Sequence, residues 1–188
     1  YTRKLRHNCE KSNLKFLVTV RKNLVLLGMM GVGKSTIGKI VAKKQGLKFI
    51  DTDLNIEKKA SMTISKIFES KGEKFFRLME EKEVLESLKK NECVIALGGG
   101  AIMNKNVREA ILQNSISIWL DINLKTLEKR IKWNNKRPLL HGEDTLSKIK
   151  KLYAQRKNIY GLAQHKINCN NLNKEIISKK IISIYEKQ

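Results

Sequence analysis

The sequence predicts an α/β fold: three α/β/α layers around a mostly parallel central sheet of about five strands, with a mobile lid. Three observations carry this expectation. Short apolar runs alternate with longer stretches whose apolar residues recur at helical spacing. Residues 28–35, Gly-Met-Met-Gly-Val-Gly-Lys-Ser, match the phosphate-binding loop pattern in full, and they join one such run to one such stretch. Acids or glycines close later runs, at the strand ends beyond which ligands bind in sheets of this kind.

Asn23–Leu27 reads as a buried strand. Ile37, Ile40 and Val41 then mark a helix starting at Lys34. Lys48-Phe-Ile-Asp51 is a short second strand ending in an acid. Ile56, Ala60, Ile64, Ile67 and Phe68 predict helical pieces with a break near Ser61-Met62, and Glu73–Lys90 a further helix. Cys93–Leu97 is a third strand closed by Gly98-Gly99-Gly100. Asn104–Leu112 reads as helix, Ser117–Leu120 as strand and Leu124–Ile131 as helix. Trp133–Gly142 is polar and holds the only proline. Leu146–Tyr160 is helical, Lys166–Cys169 a weak last strand, and Lys174–Tyr185 a closing helix.

The 188 residues suit one domain over residues 21–188 behind a basic arm, 1–20. Tyr1–Lys15 lacks the apolar stretch of a secretory signal, although a first residue of Tyr leaves the natural start open. No run reaches the length of a membrane span. Cys9, Cys93 and Cys169 have neither metal spacing nor an even framework, which fits a reducing cytoplasm. The formal charge of +21 reads as a lysine-rich solvated surface. The rival reading is a surface for nucleic acid or an anionic membrane, but no aromatic residues interleave with the lysines as a base-stacking platform needs.

The loop is the first candidate site. Its glycines permit close backbone approach, so the amides of Gly28, Met29, Met30, Gly31, Val32, Gly33 and Lys34, with the helix start at Ser35 and Thr36, can cradle a polyphosphate. Lys34 can reach the β- and γ-phosphates, and the Ser35 hydroxyl can ligate Mg²⁺. Asp51 can hold that ion through water, while Asp53 can orient or deprotonate a substrate hydroxyl. Asp53 can equally cap the following helix, and the two roles are compatible. Arg77 and Glu80 stand three residues apart on one helix face, either as a surface ion pair or as a carboxylate clamp with its orienting partner. Gly98, Gly99 and Gly100 are a tight turn or a place where backbone meets a small polar ligand. Arg137 can fold over a triphosphate, and Arg156 can be a second clamp or one more solvated charge. His7, His141 and His165 have no partner pattern.

Together these segments resemble shikimate kinase, a family of nucleoside-monophosphate-kinase-like P-loop proteins. The resemblance rests on Gly28–Thr36, Phe49–Asp53, Ile67–Glu80, Gly98–Ala101, Arg137-Pro-Leu-Leu140 and Arg156 with Tyr160, in order and at close to the family spacing over about residues 22–187. It implies transfer of the γ-phosphoryl group of ATP to the 3-hydroxyl of shikimate, in chorismate and aromatic amino-acid biosynthesis. It implies one Mg²⁺ held with ATP by Ser35 and, through water, Asp51, and catalysis by Lys34, Asp53 and Arg137. Asp53, Arg77, Arg156 and Gly98–Gly100 would bind shikimate on substrate helices at about 53–90. Arg130 would border the adenine, and Arg137 would descend with a lid at about 133–142. A cytoplasmic monomer without nucleic-acid or membrane partners is expected. A gluconate-type kinase is the nearest alternative.

Overall fold

The computed structural model describes residues 21–132 and 145–188. The arm 1–20, with Cys9 and His7, lies outside the described residues, as does the expected lid with Arg137 and His141.

Five strands form one wholly parallel sheet: β1 (Asn23–Leu27), β2 (Lys48–Asp51), β3 (Cys93–Ala96), β4 (Ser115–Asp121) and β5 (His165–Asn168), in the order β2-β3-β1-β4-β5. β1 is central and completely buried, as its unbroken apolar run requires. Between strands lie α1 (Lys34–Gln45), α2 (Thr52–Ala60), α3 (Ile64–Leu88), α4 (Lys105–Asn114), α5 (Leu124–Lys132) and α6 (Thr145–Tyr160), and α7 (Lys174–Tyr185) follows β5. Among the described residues, no helix is long and apolar enough to cross a membrane.

Most element ends fall within one or two residues of expectation, and two regions show why. The helical piece expected around Ile64–Phe68 and the helix expected from Glu73 run on as α3 (Ile64–Leu88), meeting at a kink where Gly72 takes φ 79°, ψ 170°, so the second half starts at Glu73 as expected. The apolar pattern runs through Gly72 because Ile67 and Phe76 pack together on either side of it. β4 extends back to Ser115, which pairs with Asn23 of β1, and on to Asp121, which pairs with Asn168 of β5.

The main core lies on both faces of the sheet, around Leu24, Leu26, Ile95, Ile118 and Leu120. A separate cluster, Ile56, Ile67 and Phe76 with flanking Met62, Phe68 and Met79, joins α2 to α3. The sheet edge at which β1, β2 and β3 end therefore carries an outlying helical pair with its own small core.

Candidate active site

The phosphate loop leaves β1 at Gly28 and enters α1 at Lys34. Gly28, Gly31 and Gly33 all take positive φ, and a Cβ on Gly28 would stand 2.5 Å from the Leu120 carbonyl oxygen of β4. The loop thus lies directly across the neighbouring strand. Lys34 is buried and donates to the carbonyls of Gly28 (2.8 Å) and Met29 (3.0 Å), which holds its ammonium over the loop. Arg130 of α5 donates to the Val32 carbonyl at 3.1 Å. A cleft of about 710 Å³ is lined by Gly31–Thr36, Asp51, Asp53, Gly99 and Arg130.

Ser35 donates to Asp51 Oδ2 at 2.5 Å. This places a hydroxyl and a carboxylate oxygen together in the cleft, a donor set suited to a hard cation. Asp51, rather than Asp53, caps α2, accepting from the Leu54 amide at 3.2 Å. β2 runs into α2 without a loop, so the cap falls on the last strand residue and Asp53 enters the first helical turn.

Arg77 and Glu80 are not a surface pair. Glu80 is 3% exposed, and Arg77 Nη1 donates to its Oε2 at 2.7 Å. The Arg77 Nε and Nη2 also donate to Glu73 Oε1, at 3.2 and 3.0 Å, so two carboxylates fix the guanidinium. Burial pushes the Glu80 carboxyl above its usual range; Arg77 pulls it down, and Asp53 adds to the upward push.

Arg156 is buried and donates to the Gly99 carbonyl at 3.2 Å. The Tyr160 hydroxyl donates to the same carbonyl, and its ring stacks on Trp119. Burial pushes the Tyr160 phenol up to about 12, against the lowering effect of Arg156, so it stays protonated as a donor at neutral pH.

The triple glycine brings these groups together by leaving space. A Cβ on Gly98 would lie 2.5 Å from Asp53 Oδ1 and 2.7 Å from Glu80 Oε1. One on Gly99 would approach the Met30 amide (3.3 Å) and Arg156 Nη1 (3.6 Å); one on Gly100 would meet Arg77 Nη1 at 2.6 Å. Thr52, between the two acids, donates to the Ala96 carbonyl (3.3 Å) and accepts from the Gly98 amide (3.1 Å), which ties this segment to α2. Gly99 lines the larger cleft; Gly100, Arg77, Glu80 and Arg156 line a second cavity of about 420 Å³. Arg156 therefore meets the phosphate loop across Gly99, Arg77 stands against Gly100, and neither arginine lines the cleft beside Lys34.

The sequence reading missed the Glu73 contact, although its four-residue spacing from Arg77 was visible. It also missed Thr52, for which no periodic signal exists. Cys93 and Cys169 are buried free thiols, and burial pushes both above the usual thiol range, Cys169 to about 11. No cluster of three or more His, Cys, Asp or Glu residues suited to a metal occurs among the described residues.

Comparison with known proteins identifies the family and the fold. A family model described as shikimate kinase matches residues 30–186. The chain is 43% identical over 159 residues to the shikimate kinase of Bartonella henselae, covering 85% of this chain and 76% of that one. It is 41% identical over 162 residues to that of a Sulfurihydrogenibium species, covering 86% and 96%. A solved structure, the shikimate kinase from Acinetobacter baumannii in complex with shikimate, matches with a TM-score of 0.85 at 33% identity, over 89% of this chain and 94% of that one. A gluconokinase from Sinorhizobium meliloti, at TM-score 0.59 and 15% identity over 89% and 93%, shares the fold alone. The chain belongs to the shikimate kinase family, phosphotransferases with an alcohol acceptor.

Proposed function

We propose that residues 21–188 form one kinase domain that transfers the γ-phosphoryl group of ATP to the 3-hydroxyl of shikimate. One observation carries the assignment of residues: at Gly99 the phosphate-loop amide of Met30 and the guanidinium of Arg156 approach the same point. A triphosphate in the larger cleft and an acidic acceptor beside the arginines would then face each other across the triple glycine.

Phosphoryl transfer through a loose transition state needs alignment and charge compensation more than covalent chemistry. The loop amides and Lys34 bind the β- and γ-phosphates. Arg77 and Arg156 grip the carboxylate, with Glu80 and Glu73 orienting Arg77. Asp53, beside Gly98, orients the acceptor hydroxyl and takes its proton as the new bond forms. Arg130 borders the nucleotide base. Arg137, outside the described residues, is assigned to charge stabilisation from the lid. Ser35 and, through water, Asp51 would hold one Mg²⁺ arriving with ATP, where it would supply charge neutralisation at the phosphates.

A coupled ADP-release assay with Mg-ATP tests this reading. Shikimate should give turnover, and gluconate or nucleoside monophosphates should not. ADP release with gluconate alone would favour the alternative acceptor. We assign the enzyme to the cytoplasm as a monomer without nucleic-acid partners; its buried free thiols suit a reducing compartment. Solution mass checks the oligomeric state.

A further inference from the structure

We propose that Glu83 is a positioning residue for the phosphoryl transfer, acting by fixing the distance between α2 and α3; this rests on the substrate reading above. Glu83 is 3% exposed and touches neither cavity. Its Oε1 accepts from Asn55 Nδ2 of α2 at 2.7 Å and from Ser87 Oγ of α3 at 3.1 Å. Its Oε2 pairs with the Lys59 ammonium of α2 at 2.6 Å. Lys59 also reaches exposed Glu86 at 2.6 Å.

The placement of this hub is what matters. Arg77, Glu80, Glu83 and Ser87 follow at three- and four-residue steps along one stripe of α3. The first two serve the site, and the last two hold α2. On α2, Asp53 precedes Asn55 by two residues. Asp53 and Arg77 are assigned to opposite ends of one small molecule, so the α2–α3 separation sets whether both ends are held together. The apolar cluster joining the two helices is small and separate from the main core, and side-chain contacts of that kind permit sliding. A buried carboxylate with directed donors does not, because sliding strips its hydrogen bonds. For stability alone an apolar group of similar volume would serve as well.

The test is steady-state kinetics on the full chain, with shikimate and ATP varied separately, beside thermal melting. Glu83→Ala should raise the shikimate KM and lower kcat by about tenfold each, with the ATP KM within about twofold, because misplacement falls on one substrate. Glu83→Gln should restore most of the loss, since an amide oxygen accepts from Asn55 and Ser87 alike. Asn55→Leu should give a smaller change in the same direction and decides the matter if Glu83→Ala fails to fold. Glu86→Gln should change nothing. Unchanged shikimate KM and kcat in Asn55→Leu or in folded Glu83→Ala, or an equal rise in the ATP KM, overturns the proposal. Should the wild-type chain turn over a different hydroxylated acid, that acceptor's KM replaces shikimate's, so the two failures remain distinct.

Discussion

Gly98→Ala should disable the enzyme while leaving it folded. Gly98 has no positive φ, so alanine meets no backbone strain there. Its cost lies wholly in what the methyl would strike: Asp53 Oδ1 at 2.5 Å and Glu80 Oε1 at 2.7 Å. Ordinary contact begins near 3.4 Å, so the two oxygens must retreat by about 0.9 and 0.7 Å. A misplacement of about 1 Å costs on the order of a hundredfold in rate, or about 2.7 kcal/mol of transition-state stabilisation. The ADP-release assay should therefore show kcat reduced about a hundredfold, with ATP KM nearly unchanged because no phosphate-loop atom is among the atoms struck. Gly46→Ala is the control. Gly46 has φ +65° and open space around it, so its substitution should cost about 1 kcal/mol of stability and no activity. Near-normal kcat in folded Gly98→Ala would falsify the close arrangement of Asp53 and Glu80.

Three further outcomes follow from the same geometry. Arg77→Lys should raise the shikimate KM about tenfold although the charge remains, because one ammonium cannot replace a fork held by both Glu73 and Glu80; an unchanged KM removes the clamp. Burial holds the Glu80 carboxyl above its unfolded value of about 4.3, so ionising it costs stability that is lost as pH rises through the raised value. Glu80→Gln should accordingly melt no lower than wild type at neutral pH while binding shikimate worse, and a clearly lower melting temperature there would contradict the assigned burial. The +21 formal charge should concentrate anionic substrates, so the shikimate KM should climb between about 0.05 and 0.5 M salt; a flat profile excludes long-range attraction.

The phosphate loop was legible because its shape is local: glycines at fixed spacing between a strand and a helix need little from the rest of the chain. Strand alternation was legible for a similar reason, since buried parallel strands are continuous apolar runs. The resemblance added the acceptor, which composition and spacing alone do not name. The helix break at Gly72 was partly visible, but the apolar residues on either side concealed that both halves share one cluster.

Sequence by itself determined the sheet class, the polyphosphate cradle and which acids and arginines were candidates. Only the tertiary structure decided that Glu80 is buried, that Asp51 rather than Asp53 caps α2, and that the three glycines yield room to Asp53, Arg156 and Arg77 in turn. The physical reason is range. Periodicity and loop conformation arise within a few residues, whereas burial, carboxyl protonation and the space left by a missing Cβ depend on elements distant in the chain that pack against one another.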